Sequence, residues 1–502
     1  MIDIKQDAIS IRQQQEPHPE PPSQVDKAAI YIQNNQHKYP PDITEEDESK
    51  IIRKLDFILI PILFFTSTMG AVDKVSLSTA AIYGFVEDTN LKGQQFSWLG
   101  SILFIGSLCG MIPMSYILSK YPLGKVLAVS SLLWSGFTLL LCTCQNFTEL
   151  AILRFLMGFF ECVIVPGCTL IVGRFYQKQE QGIRLSFILA FASSVINGFL
   201  SWLVGYFNSS IPAWKLLYLL VGGISFLWSL LMIYYLPDSP MNCKFLNDRE
   251  KFYITKRVLI NKTGVEINDF KWGQIKESFL DVKTYMIFFF NIGINIPNGG
   301  LSTFTTIIIN NLGFNPMHSS LMTIPTGVIA TIATIFFNWL CTKLDNRRCC
   351  VACASLLVPI IGSSILYGCD RSSIAPQLVG LYLLYFYFAP YVILISLAQA
   401  NSAGNTKKST VYSINYTGYC IGALIGPQTF RANQSPTYTG GFIAMLVSFC
   451  FCIVMTGSYC LTCKYENRKK ERELKQNNNE DEKNEYFYDL TDKQQKYFRY
   501  TT

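Results

Sequence analysis

Residues Leu150–Gly173 read LAILRFLMGFFECVIVPGCTLIVG, an apolar run with two ionisable residues inside it, Arg154 and Glu161. The run is long enough to cross a bilayer core, which takes about 20 predominantly apolar residues. Charges at such depth are costly and usually face a polar cavity or a partner charge. Arg154 and Glu161 are seven residues apart, so on a helix they share a face about 10 Å apart along the axis. A cation stacked under an acid suits a site that binds an anion and carries a proton. The same pair also suits a static tie between helices.

The rest of the chain has the same character. Of its 502 residues, 50% are hydrophobic and only 15% are charged, well below the roughly 25% of a soluble domain. Twelve runs reach spanning length or come close to it: 54–85, 97–119, 124–144, 149–173, 184–207 and 214–236, then 284–311, 318–342, 349–369, 376–400, 409–430 and 440–463. The first is over-long and interrupted by Asp73 and Lys74. The runs are continuous rather than alternating, which excludes a closed β-barrel. The expectation is an all-α polytopic membrane protein with twelve transmembrane helices in two six-helix bundles.

Basic residues set the orientation. Lys120, Lys125, Arg174, Lys178, Arg184, Lys343, Arg347, Arg348, Lys407, Lys408 and Lys464 fall in connections on the side of the N-terminus. The opposite side holds mainly Lys92, Arg371 and Arg431. Both termini are therefore expected in the cytoplasm, and the +7 net charge reads as this bias rather than a nucleic-acid footprint. The expected organisation is a disordered cytoplasmic tail over 1–50, a bundle over 51–236, a cytoplasmic linker over 237–283, a second bundle over 284–463 and a cytoplasmic tail over 464–502, read as disordered beyond a short extension of the last helix. In the linker, Phe245, Phe252, Ile254 and Val258 suit one apolar face of a surface helix; a flexible charged linker is the alternative.

Several function classes are missing. There is no GxxxxGK[ST] phosphate loop, GxSxG elbow or HExxH, so neither ATP-driven transport nor hydrolytic catalysis is indicated and the chain is not expected to be an enzyme. Sixteen cysteines lie mostly inside spans, and only three histidines are present; neither a disulfide framework nor a metal site is expected. No cofactor is implied, and uphill movement would draw on an ion gradient. Sequons at Asn146, Asn208 and Asn433 fall in the outward connections.

Six spans, a polar interval and six more fit a two-bundle transporter with its site between the halves near the midplane. The motifs also resemble a family. VDKVSLSTAAIYG from Val72, RFLMGFFECVIVPG from Arg154 and EQGIR at Glu180–Arg184 are similar to the first and fourth helices of the anion:cation symporter branch of the major facilitator superfamily. LPDSP at Leu236, NIPNGGLSTFTTIIINNLGF at Asn295, and NSAGNTKKS at Asn401 followed by YCIGALIGPQTF resemble the fungal allantoate permease group. The resemblance spans about residues 50–465. It implies proton-coupled uptake of a small organic anion: allantoate or another ureido acid, nicotinate or another vitamin, or a sulfur-containing acid.

Carried over by position, Asp73 and Lys74 match the family's first-helix acid–base pair, and Arg154 and Glu161 its fourth-helix pair. Substrate would take Arg154 or Lys74, and a freed Glu161 or Asp73 would take the proton; the alternative for Asp73–Lys74 is a rim pair where the first helix leaves the membrane. Asn295 and Asn298 flank Pro297 before Gly299-Gly300, where a broken helix would expose backbone to substrate. Asn415 is a further candidate for substrate binding. Asn197 and Gln399 are better read as helix-to-helix glue, Gly418, Gly422 and Gly426 as close packing, and Tyr382, Tyr385, Tyr387 and Tyr391 as packing. Met111 and Gly422-Ala423 depart from the family pattern, which points to an altered substrate range. The expected partners are a small anion, protons and lipid; the expected state is a monomer in the plasma membrane. A transporter-fold nutrient sensor and a passive uniporter are the competing readings.

Overall fold

In a computed structural model of the chain, helices occupy every segment that hydropathy marks as spanning. The structure describes residues 44–177, 192–207, 210–259, 271–344, 346–369, 373–476, 491–495 and 497–502, with short pieces between 31 and 39 and between 180 and 188. The principal helices are α1 (Glu45–Ile82), α2 (Gln95–Lys120), α3 (Leu123–Leu140), α4 (Phe147–Glu161), α5 (Ile164–Phe175), α6 (Ser193–Val204) and α7 (Ala213–Tyr235). After these come α8 (Asp248–Leu259), α9 (Trp272–Leu280), α10 (Val282–Asn310), α11 (Ile324–Lys343), α12 (Arg348–Gly368), α13 (Ile374–Leu384), α14 (Phe388–Ala400), α15 (Asn405–Thr429) and α16 (Thr439–Gln476).

Among the described residues nine spans are long and apolar enough to cross a membrane, ten when the bent pair α9–α10 counts as one. The two remaining predicted segments fall short for different reasons. Helix α6 has only 12 described residues. Helix α15 has 25 but carries Asn405, Lys407, Lys408, Asn415 and a run of hydroxyl side chains. It packs against α10 on one side and α2 on another, so much of its surface meets protein and not lipid, and need not be apolar.

Each half packs chiefly on itself, and three seams join the halves: α1 with α10, α2 with α15, and α6 with α11. Counted as spans, these are first with seventh, second with eleventh and fifth with eighth. A six-span repeat maps the first seam onto itself and exchanges the other two, the pattern of two related bundles. Small residues let backbones approach both at a seam, where a Cβ on Gly198 of α6 would lie 2.8 Å from the Ser320 carbonyl oxygen, and inside the second half, where α15 lies against α10. A Cβ on Gly422 would lie 2.3 Å from the Ile292 carbonyl oxygen, and one on Gly426 would lie 2.4 Å from that of Ile296. Gly418 faces the Phe288 carbonyl in the same way, so the packing expected of this glycine series is present. Inside the first half, a Cβ on Gly158 would sit 1.9 Å from the Leu103 carbonyl oxygen.

Several expectations are corrected. Helix α1 runs unbroken through Asp73 and Lys74 to Ile82, and Asp73 is fully buried; the pair is no rim feature. Helix α10 likewise continues through Pro297. The break lies more than four turns earlier in the chain, at Asp281, where α9 and α10 meet at 66°. The linker is neither wholly flexible nor a single unit. Helix α8 buries Phe252, Ile254 and Val258 and is tied to the first half by Lys54–Glu250 at 2.8 Å and by Arg257 to Glu180 at 2.8 Å. Helix α9 is tied to the second half by Lys407–Glu277 at 2.9 Å. Residues 260–270 between them, like most of the expected N-terminal tail, lie outside the described residues.

The end of the chain is also more ordered than its composition suggests. Helix α16 continues to Gln476, and residues 491–495 and 497–502 dock on the second bundle at the end where α1 begins. Asp492 is fully buried, with Lys407 at 2.7 Å and Lys283 at 3.7 Å. Asn401 donates to the Thr501 carbonyl at 2.8 Å and the Tyr500 hydroxyl donates to Asp492 at 2.8 Å. The expectation of an unstructured tail fails here because the partners are scattered over four distant segments.

The glycine contacts give a direct test. Gly158→Ala should cost roughly 1–3 kcal/mol through overpacking, read as a lower melting temperature of the detergent-solubilised protein. Gly223→Ala, at a position with open space around it, should change stability by less than about 0.5 kcal/mol.

Candidate functional site

The four intramembrane charges meet at the junction of α1, α3, α4 and α7. Asp73 and Lys74 are neighbours on α1, so their side chains leave the helix about 100° apart and do not face each other. Lys74 instead reaches across to α4, its Nζ 2.7 Å from Glu161 Oε1. Asp73 turns inward, where Oδ2 accepts from the Thr138 hydroxyl of α3 at 3.1 Å. Arg154 donates to the Tyr218 hydroxyl of α7 at 3.4 Å and lies within electrostatic reach of Asp73 and Glu161. Arg154 and Glu161 share a face of α4 as expected but form no ion pair, their two-turn separation being too long for direct contact. The structure therefore brings Asp73, Lys74, Arg154 and Glu161 into one cluster, with different partners from those the sequence suggests.

Two acids and two bases make the cluster neutral overall. Arg154 and Glu161 are 2% and 6% exposed, so little water competes for them. Glu161 Oε2 has no donor, and Asp73 Oδ1 has only the Trp134 indole N–H facing it, outside hydrogen-bond geometry. Each is a place for a proton or a ligand hydrogen. On its open side the Lys74 ammonium lies 5.9 Å from the ring centres of both Phe104 and Tyr419.

Helix breaks accompany the cluster. The fourth span stops at Glu161, turns through Cys162 and Val163, and resumes as α5. Pro166 has no N–H to give the Cys162 carbonyl, which favours the break at that point. The tenth span narrows to a 3-10 turn at Tyr385–Tyr387, four residues before a comparable proline, Pro390. Beside the first break opens a small cavity of about 60 Å³, lined on one side by Met111 and Met114 of α2 with Val163 and Pro166, and on the other by Tyr412 and Tyr416 of α15. It lies between the two halves, toward the end of the molecule where α1 begins. The hydrogen bonds that cross between the halves gather at the opposite end: Ser101 to the Leu424 carbonyl at 2.7 Å, Gln428 to Ser101 at 2.9 Å, and the Thr306 amide to Ser78 at 3.0 Å.

The asparagines divide. Asn298 donates to Asn295 Oδ1 at 3.0 Å and accepts from the Tyr387 hydroxyl at 2.8 Å, while Asn295 donates to the Asn291 carbonyl. They form an internal chain of hydrogen bonds, with no exposed backbone at Pro297 for a substrate to meet. Asn415 is 8% exposed and its Oδ1 has no donor. Asn197 ties α1 to α6, accepting from Ser76 at 3.0 Å and donating to Thr79 at 2.8 Å. Gln399 is exposed, away from the cluster. Tyr218, Thr138, Phe104, Tyr416 and Tyr419 join the cluster without having been expected to. Only the Val163–Gly167 stretch with its proline marked any of this locally. Among the described residues no cluster could hold a metal ion, and the cysteines are all free.

A four-charge cluster inside the first half, with Lys74 turned toward Tyr419 of the second, suits a transporter, and sequence comparison agrees. The chain matches the profile of the Major Facilitator Superfamily over residues 62–427. It belongs to that family. It is 37% identical to an MFS-type transporter (cnsL) of Penicillium expansum over 91% of this chain and 89% of that protein. Allantoate permease of Saccharomyces cerevisiae is 31% identical over 92% of this chain and 88% of its own length. Among solved structures, a bacterial homologue of the human lysosomal transporter Spinster in an inward-facing conformation superposes with a TM-score of 0.60 at 13% identity, covering 80% of this chain and 96% of that one. A D-xylose–proton symporter gives 0.59 at 14%, covering 80% and 97%. Those likenesses establish the fold. The protein is thus an integral membrane transporter and not an enzyme.

The Lys74–Glu161 pair yields a stability test. Lys74→Met leaves Glu161 buried without its cation and should cost roughly 3–5 kcal/mol. Adding Glu161→Met should recover most of that loss, since a matched apolar pair is often as stable as a buried ion pair. Melting of the single and double variants in detergent measures the difference.

Proposed function

We propose that this transporter carries a small organic anion together with protons, by alternating access. The observation that carries the reading is the ion pair between the half-buried Lys74 and the buried Glu161, bordered by an acceptor atom without a donor. An incoming carboxylate competes with Glu161 for Lys74, and Arg154 is the second cation within the cluster. Glu161, once displaced, is a buried charge without its partner, an unfavourable state that a proton cancels. Substrate and proton therefore favour each other's binding through one shared residue, which is the coupling a symporter needs. Asp73 is the second acid available. Asn415, with its free carbonyl, is a further substrate contact in this reading, whereas Asn295 and Asn298 support the site through Tyr387.

Charge balance gives the stoichiometry. The empty cluster is neutral, so one monoanion and one proton restore neutrality, and a dianion calls for two. The basic residues in the connections support cytoplasmic termini, with the cavity then opening to the cytoplasm and the hydrogen-bonded end facing out. The energy source is the proton gradient, with no cofactor; the setting is the plasma membrane and the working unit a monomer.

The test is uptake of a panel of labelled anions into cells lacking their own carriers, with external pH varied. Arg154→Ala should reduce uptake to background with normal membrane insertion, and Arg154→Lys should restore it only partly, because Lys lacks the bidentate fork that grips a carboxylate. Normal uptake by Arg154→Ala would remove Arg154 from the anion site.

Coupling is tested separately. Glu161→Gln, a fixed mimic of the protonated acid, should keep exchange of labelled for unlabelled substrate but lose pH-driven accumulation. If Asp73→Asn alone uncouples transport while Glu161→Gln still accumulates substrate, the proton site belongs to α1. Wild type that never concentrates substrate at acid external pH would favour a uniporter.

A further inference from the structure

A carboxylate held near Lys74 leaves the body of the ligand to be recognised by the walls beside it, and those walls are strongly aromatic. The Lys74 ammonium sits between Phe104 and Tyr419, whose rings meet edge to face at 5.9 Å and 76°. Tyr419 in turn stacks on Tyr416, with centroids 5.5 Å apart and planes 28° from parallel. Tyr416 and Tyr412 then line the cavity opposite methionine, valine and proline side chains. A continuous ring surface therefore leads from the half-buried cation into the space beside it. The lining holds no charged side chain; its polar side-chain atoms are the hydroxyls of Ser115, Ser413, Tyr412 and Tyr416 and the Cys162 sulfur.

We propose that Tyr416 and Tyr419, with Phe104, make the carrier selective for flat aromatic or heteroaromatic acids bearing a single negative charge. The inference rests on the anion-carrier reading and narrows it. An open-chain ureido acid has several N–H and C=O groups, and against methionine and proline walls most of them would lose water without gaining a partner. A flat ring offers its face to Tyr416 and its edge to the methionines. Ring-on-ring contacts contribute a roughly 2- to 10-fold preference each beyond the area they bury. A single charge matches the neutral cluster, where one proton balances one carboxylate.

Binding to the purified full-length protein tests this with three probes: benzoate, cyclohexanecarboxylate and allantoate. The first two share size and charge and differ in flatness and π-character, and the third is open-chain and polar. Benzoate should bind about tenfold more tightly than cyclohexanecarboxylate and more tightly than allantoate. Tyr416→Leu should bring the benzoate-to-cyclohexanecarboxylate ratio close to one, and Tyr416→Phe should retain it. Equal affinity of the ring acids in wild type, tighter binding of allantoate, or an undiminished ratio in Tyr416→Leu would overturn the inference. The wild-type comparison decides even if the leucine variant does not fold. Loss of all acid binding in Arg154→Ala, together with no aromatic preference, would leave the anion-carrier reading standing and remove only this narrowing. Absence of acid binding in wild type, or binding indifferent to Arg154, would overturn both.

Discussion

Everything at the centre of this protein follows from the cost of holding four charges in an apolar bundle. A lone carboxylate or ammonium is unfavourable there by several kcal/mol, so each must find a partner or leave. Lys74 satisfies Glu161, Thr138 holds Asp73, and Tyr218 meets Arg154. The partners come from four different helices, which fixes those helices around the cluster. None of these ties is covalent or saturated, because Asp73 and Glu161 each keep one oxygen without a hydrogen bond. An assembly that is neutral but incompletely bonded is one that an ion and a proton can enter together.

The cluster can have this role only because the halves meet closely at one end and leave space at the other. Gly198 of α6 lets that helix lie against the Ser320 carbonyl of the second half, and the crossing hydrogen bonds at Ser101, Gln428 and Thr306 close the end away from the start of α1. Toward the other end the seam opens into the tyrosine-lined cavity. Each half is also braced on its own: α8 is held to the first half through Arg257 and Lys54, and α9 together with the chain's end to the second through Lys407 and Lys283. Two internally braced bodies joined by narrow seams suit a rocking motion about a fixed central site.

The two solved structures that resemble this chain at 13–14% identity, one of them a D-xylose–proton symporter, share its fold alone. What a member of the superfamily recognises depends on the side chains in the central cavity. Here the cavity is lined by tyrosine, methionine and aliphatic side chains, with Lys74 close by against Tyr419.

The sequence by itself determined the membrane fold and the family, and it singled out the four charged residues that the structure brings together, since continuous apolar runs and isolated charges are local, one-dimensional signals. It also carried the packing role of Gly418, Gly422 and Gly426, because four-residue spacing places them on one helix face. Partnership was decided only in three dimensions. Adjacency in sequence suggested Asp73 with Lys74, and helical periodicity suggested Arg154 with Glu161. Yet neighbours on a helix diverge and residues two turns apart stand too far off to bond, so the cation of α1 pairs with the acid of α4. The continuity of α10 through Pro297, the bend at Asp281 and the burial of Asp492 were hidden for the same reason. Each depends on what another part of the chain places alongside, and periodicity along one helix does not record that.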